Sequence, residues 1–277
     1  MQTLRALTLA CGMVGATAAI AAQGIGEELD TPFVITPTNV VTAMLDLAKV
    51  RAGDRLIDLG SGDGRIVLAA AQRGAIGLGI EIDARLVEQS RVTARRMKLD
   101  DRAKFVTQDL FDADYSSADV VTLYLLPDVN KRLAPKFLAT LKAGTRIVSH
   151  DYDLGAWPPD AEIIVDAPDK PVNVAKKSHL YYWVVPARVA GRWQGSVGAS
   201  GITLELAQDY QRVGGTLRID SREYRFNDVK IDGNTFSLRL EDSPRPLRLE
   251  LKADGAMLRG RMREGDAAEV ALAMTRR

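Results

Sequence analysis

Leu56-Ile57-Asp58-Leu59-Gly60-Ser61-Gly62-Asp63-Gly64-Arg65 is the stretch that decides the fold. Leu56 to Leu59 reads as a buried strand. Glycines then take alternate positions, Gly60, Gly62 and Gly64, and an apolar helical run resumes from Ile66 to Ala71. Strand, glycine turn and helix together let backbone approach a nucleotide-like ligand closely, because glycine has no Cβ and tolerates positive φ. Another apolar run ends in Gly79-Ile80-Glu81-Ile82-Asp83. Glu81 thus falls roughly 20 residues past the glycines, the spacing at which a carboxylate on a second strand end meets ribose hydroxyls. The plain alternative is a tight turn without a ligand.

Asp58 and Asp63 argue against a dinucleotide. A pyrophosphate favours a helix N-terminus free of acids, whereas these two suit a ligand with a cationic or neutral centre. Around the motif the chain alternates strand and helix. Val40, Val41, Met44, Leu45 and Ala48 repeat at helical spacing, with Thr36 placed to cap that helix and Pro37 in its first turn. Asp83 can cap a helix from about Arg85 to Met97. Further strands are expected over Lys104 to Thr107, Asp119 to Leu126, Thr145 to Ser149, Ala161 to Val165 and His179 to Val185. Continuous apolar strands joined by helices predict a Rossmann-like, mostly parallel sheet of about seven strands covered on both faces. Ligands in such sheets bind at the carboxyl ends of the strands.

Beyond Pro186 to Gly191 the helical periodicity stops. Ile202-Leu204-Leu206, Leu217-Ile219, Phe236-Leu238-Leu240, Leu247-Leu249-Leu251 and Val270-Leu272-Met274 each alternate with polar or small residues, and turns such as Asp232-Gly233-Asn234 separate them. About eight short strands predict an antiparallel meander closed, or nearly closed, into a small barrel. The expected organisation is residues 31–188 for the first domain and 190–277 for the barrel.

Composition narrows the partners. In 277 residues the net charge is +1, which gives no reason to expect nucleic acid or an anionic membrane as the main partner. Two histidines, His150 and His179, and a single cysteine, Cys11, leave too few soft ligands for a metal site. Cys11 lies in a stretch laid out as a secretory signal peptide: one positive charge in Met1 to Arg5, an apolar run Ala6 to Ile20, and Ala19-Ile20-Ala21 as a cleavage site. Export to a periplasm is expected, with cleavage near residue 22; an uncleaved N-terminal membrane anchor is the alternative.

The acidic-Gly-x-Gly-x-Gly turn resembles the first motif of class I S-adenosylmethionine-dependent methyltransferases. Thr36-Pro37 to Val41, Asp58 to Val67, Gly79 to Asp83, Leu123-Tyr124-Leu125-Leu126-Pro127 and Ser149-His150-Asp151 together sharpen this. They are similar to the protein-lysine methyltransferases acting on the ATP synthase c subunit and the adenine nucleotide translocase. The resemblance spans roughly Pro32 to Trp157. It implies S-adenosyl-L-methionine as cofactor, with Gly60, Ser61, Gly62 and Gly64 around its methionine part and Asp58 or Asp63 near its ammonium. Glu81 would accept from the ribose hydroxyls, and Asp109 and Leu110 would lie against the adenine.

A lysine nucleophile must first lose its proton. Tyr124, Asn130, His150 and Asp151 are the candidates to line that pocket, with Phe33 and Trp157 as possible walls of the target channel. Each has a structural alternative: Tyr124 packs at a strand end, Asn130 caps a helix, His150-Asp151 closes a turn, and Asp109 is a turn acid. The favoured function is a protein-lysine N-methyltransferase, its substrate a protein, a membrane protein among the options. The alternatives are a small-molecule methyltransferase and an exported binding or scaffold protein that keeps an inactive nucleotide fold.

Overall fold

The computed structural model describes residues 33–171, 175–241 and 245–277, all within one compact unit, Thr31–Arg277. The signal peptide read over residues 1–22 lies outside the described residues. The first elements in chain order are α1 (Thr38–Leu47), β1 (Arg55–Leu59), α2 (Arg65–Gln72), β2 (Ile76–Glu81), α3 (Ala84–Arg96) and β3 (Ala103–Thr107). They are followed by β4 (Val120–Leu123), α4 (Pro127–Thr140), β5 (Arg146–His150), β6 (Ala161–Asp166) and β7 (Lys177–Val184). The sheet runs β3-β2-β1-β4-β5-β7-β6. β1 to β5 are parallel, whereas β7 is antiparallel to β5 and β6 to β7.

Alternation along the central strands feeds two cores. Leu56, Val120 and Val148 face one cluster with α1 and α2. Ile57, Leu59, Val121, Leu123 and Ile147 face the other with α4. Strands buried on both faces must be apolar nearly throughout, which is why β1 and β4 are so legible. The order reverses between β1 and β4, and a crevice opens at such a switch point beyond the carboxyl ends. The glycine turn follows β1 there.

Asp83 caps α3 as expected, accepting from the Arg85 N–H. Thr36 does not cap α1: the N-cap is Pro37, with no side-chain bond. The Thr36 hydroxyl is instead 3.2 Å from His150 Nδ1, and its carbonyl accepts from Arg65 at 2.8 Å. A hydroxyl held by a buried tertiary partner is unavailable to the helix end.

The second half is a closed antiparallel barrel of eight strands. These are β8 (Gly191–Val197), β9 (Ser200–Asp209), β10 (Arg212–Ile219), β11 (Arg222–Asp232), β12 (Thr235–Leu240), β13 (Leu247–Asp254), β14 (Met257–Glu264) and β15 (Val270–Arg276). Successive strands pair, and β15 returns to β8. Trp193, Leu204, Leu217, Leu238, Leu249 and Leu258 fill the interior. Closure removes free strand edges that would otherwise recruit other chains.

Barrel and sheet meet at Trp157. Its indole N–H donates to Gln211 Oε1 at 2.9 Å, Gln211 donates on to the Pro158 carbonyl at 2.7 Å, and Tyr210 stacks on the indole. Trp157 is therefore part of this junction and does not wall a target channel, a correction that follows from its complete burial. Lys230 reaches Asp160 at 2.8 Å beside it. Gln211→Ala would leave the Trp157 N–H and the Pro158 carbonyl unpaired, and each buried orphan costs about 1–3 kcal/mol. We expect urea unfolding to show a loss of at least about 2 kcal/mol; an unchanged midpoint would mean that water replaces the glutamine.

Candidate functional site

The glycine turn is built from its backbone. Gly60, Gly62 and Gly64 have φ of 71°, 53° and 78°, the left-handed region that only glycine enters freely. Gly60 N–H and Ser61 N–H both donate to the Ile80 carbonyl on β2, and Gly64 N–H to the Ser61 carbonyl. Glu81 holds the middle of the turn. One carboxylate oxygen accepts from Gly62 N–H at 2.8 Å; the other accepts from Ile82 and Asp83 N–H at 2.9 and 3.0 Å. A side chain at Gly62 would strike the Phe33 ring, and one at Gly60 the Leu125 side chain. Phe33 thus covers the turn while remaining about half exposed.

The two acids of the motif differ. Asp63 is locked in a bidentate pair with Arg65, at 2.9 and 2.5 Å, so its charge is already met. Asp58 is buried, with the Thr122 hydroxyl donating to it at 2.7 Å from the facing position on β4. Burial pushes its carboxyl up to about 7 against the Thr122 bond, and the Glu81 and Asp63 charges add to the rise. Of the two, Asp58 is the acid that lacks a cation. Ser61 turns its hydroxyl against Gly79, where it is buried without a partner. Asp109 is exposed and accepts from Phe111 N–H at 2.8 Å, the turn-acid arrangement; Leu110 beside it is half-buried.

The strand ends of β4 and β5 assemble a second cluster. The Tyr124 hydroxyl donates to Asp151 at 2.9 Å, and the Tyr124 ring packs on the His150 imidazole with centroids 3.8 Å apart. His150 is fully buried between Thr36 and Ser178, with Nε2 2.8 Å from the Ser178 hydroxyl. Burial pulls its pKa down to about 4 against the Asp151 charge, with Lys170 also lowering it. With its pKa lowered and both nitrogens engaged by hydroxyls, it is neutral near pH 7 and a poor proton acceptor. Asn130 is buried inside α4 and does not cap it. Its amide donates to the Ser149 hydroxyl and to the Tyr152 and Asp153 carbonyls, fixing the turn after β5. His150 and Asn130 are thus framework, while Tyr124 and Asp151 remain together at the strand ends. Lys170 and Ser178 complete the cluster with no signal in the sequence, since a lone lysine and serine in a late loop and strand look ordinary. Thr122 was more visible, as a polar residue inside an apolar strand.

These observations coincide with relationships to known proteins. A family model for the ANTKMT methyltransferase domain matches residues 58–161, ending before the barrel begins. A protein-lysine N-methyltransferase of Saccharolobus islandicus (strain REY15A) is 39% identical over 137 residues, covering 49% of this chain and 85% of that one. The chain belongs to this methyltransferase family. The Homo sapiens lysine N-methyltransferase of the ATP synthase c subunit is 33% identical over 129 residues, 47% of this chain and 55% of its own. The chain therefore spans only about half of that relative. A solved structure described as an RNA methyltransferase from Salinibacter ruber in complex with S-adenosyl-L-homocysteine shares 46% identity and a TM-score of 0.50, covering 56% of this chain and 96% of that one.

The residues of this methyltransferase fit S-adenosyl-L-methionine. The turn offers Cβ-free backbone at the switch point, and the buried Asp58 carboxylate wants a cation such as the ligand's ammonium. A carboxyl raised from 3.8 to about 7 on folding stabilises the fold fully below pH 3.8, and that contribution is lost as pH rises through about 7. Relative to Asp58→Asn, the ligand-free protein should lose about 2–3 kcal/mol of stability between about pH 5 and 7.5. Urea titrations at both pH values check this; parallel curves for the two proteins would refute the raised Asp58.

Proposed function

We propose that this chain transfers a methyl group from S-adenosyl-L-methionine to the side-chain amine of a protein lysine. The observation that carries this reading is the Gly60–Gly64 turn tied to Glu81, with Asp58, held by a hydroxyl but by no cation, at its base, in a chain 39% identical to a protein-lysine N-methyltransferase over a matched region. When bound, the cofactor supplies an electrophilic methyl on a sulfonium. The protein's task is then chiefly to align acceptor, methyl and sulfur.

In this scheme Gly60, Gly62 and Gly64 carry the methionine part and Asp58 faces its ammonium. Glu81 has about one lone pair left after its three backbone bonds, enough to accept from a ribose hydroxyl. Asp109 and Leu110 border the adenine, and Tyr124 borders the acceptor. Asp63 supports the turn through Arg65 and leaves the ammonium to Asp58. The leader read over residues 1–22 is proposed to direct export, which would make an envelope protein, a membrane protein included, the natural acceptor. Mass spectrometry of the mature N-terminus tests that part: a product starting near residue 23 supports it, and one starting at Met1 refutes cleavage.

Calorimetric titration of the purified protein with S-adenosyl-L-methionine tests the cofactor. We expect micromolar binding, weakened at least tenfold (about 1.4 kcal/mol) in Glu81→Ala that circular dichroism shows to be folded. Incubation with lysine peptides and with RNA, followed by mass spectrometry, tests the acceptor. Methyl groups on lysine support the proposal; methyl groups on RNA alone, the acceptor class named for the Salinibacter ruber protein, would overturn it.

A further inference from the structure

Lys170 lies in the connection between β6 and β7 and is 1% exposed. Its ammonium donates to both Asp151 oxygens, at 2.7 and 2.5 Å, and to the Lys177 carbonyl at 2.9 Å. All three of its protons are thereby used. Burying an ammonium is unfavourable unless it is closely paired, so this lysine marks a position where a fixed positive charge is required. Asp151 also accepts from the Tyr124 hydroxyl and from His179 N–H at 3.2 Å, and holds a left-handed φ of 64°.

The charged and titratable groups around Asp151 are Tyr124 just after β4, His150 from β5 (Nε2 at 3.6 Å), Lys170 from the β6–β7 connection, and His179 and Tyr181 on β7. Tyr152 and Asp153 follow in the same turn and act on Tyr124 and Tyr181. Burial would raise the Asp151 carboxyl, but the Lys170 bond, with His150, Tyr124 and His179, brings it below its ordinary value. Tyr124 is pushed well above the ordinary tyrosine range by burial and by Asp151, so its hydroxyl keeps its proton and points it at the carboxylate. Neither His150, lowered by burial, nor Asp151, lowered by its Lys170 bond, is poised to take a proton from an ammonium near neutral pH.

We propose that Lys170 is a positioning residue: by neutralising Asp151 it withholds that carboxylate from proton transfer and admits only an already neutral acceptor amine, which the Tyr124 hydroxyl oriented by Asp151 receives through its lone pairs. The inference rests on the lysine-amine reading above. The acceptor ammonium gives its proton to bulk water before binding. The amine lone pair then forms the carbon–nitrogen bond as the carbon–sulfur bond breaks with its electrons to sulfur, and the second amine proton leaves to solvent afterwards. Asp151 and Lys170 keep their charges throughout.

The test uses the full chain in two ways. Carbon NMR of labelled aspartates in the ligand-free protein should show Asp151 ionised from about pH 5 to 9, with a titration appearing in that range in Lys170→Met and disappearing again in Lys170→Arg. Kinetically, log kcat/KM should rise with unit slope and bend at the acceptor's own pKa. Replacing the target lysine of a peptide by S-aminoethylcysteine, whose amine is more acidic, should move that bend to lower pH by the difference between the two amines. Lys170→Met should lower kcat/KM at least about tenfold and add a second inflection. A bend that stays fixed whichever amine is used, or a folded Lys170→Met with an unaltered NMR titration and pH profile, overturns the proposal. The wild-type measurements decide even if that variant fails to fold. Absence of transfer to any amine overturns the functional reading separately, and the NMR titration still decides whether Lys170 holds Asp151.

Discussion

The carboxylate of Glu81 is the tie on which the glycine turn depends. It collects backbone N–H groups from two strand-end turns, Gly62 after β1 and Ile82 and Asp83 after β2. Hydrogen bonds to an ionised acceptor are roughly twice as strong as neutral ones, and these join segments 19 residues apart in sequence. The tie fixes the height of the glycine turn above the sheet. It also sets the start of α2, whose N-cap is Gly64 in the left-handed region, and it directs the β2 end into the Asp83 cap of α3. Ser90 on α3 closes the circuit by donating to the Gly62 carbonyl at 3.2 Å.

Charge is distributed differently on the two sides of the switch point. On the β1 side, Asp58 is buried with a hydroxyl as its partner and has a raised pKa, an arrangement that gains when a cation arrives. On the β5 side, Asp151 is already matched by the buried Lys170 ammonium. A ligand that carries an ammonium at one end and reacts with a neutral nucleophile at the other is suited to that asymmetry. Behind Tyr124 and Asp151, His150 is held between the Thr36 and Ser178 hydroxyls, and the Asn130 amide N–H groups and the Ser149 hydroxyl bond to each other and to backbone.

Much of the fold was legible because it follows from local rules. Strands buried on both faces read as apolar runs, and several barrel strands alternate, as in Leu247-Leu249-Leu251. Asp83 showed its capping role because that bond closes within two residues. What escaped notice depends on contacts distant in sequence. Thr36 resembled a helix cap until the fold placed His150 beside it, 114 residues away. Trp157 looked available to a channel because nothing in its neighbourhood announces Gln211, 54 residues later. Asp63 and Asp58 were indistinguishable in the motif, and the Arg65 pair separates them. Lys170 carried no signal at all, since its burial is set by where the β6–β7 connection falls against β5.

The central claim, that this turn and these acids cradle the methyl donor, is tested most directly by a crystal structure of the full chain with S-adenosyl-L-homocysteine. The account predicts the ligand across the carboxyl ends of β1 and β4, its amino-acid end on Gly60 to Gly64 and Asp58, its ribose hydroxyls on Glu81, and Phe33 moved off Gly62 or packed on the ligand. A ligand bound elsewhere, or one in this cleft with its ribose out of reach of Glu81 and its ammonium paired to another acid, would contradict it.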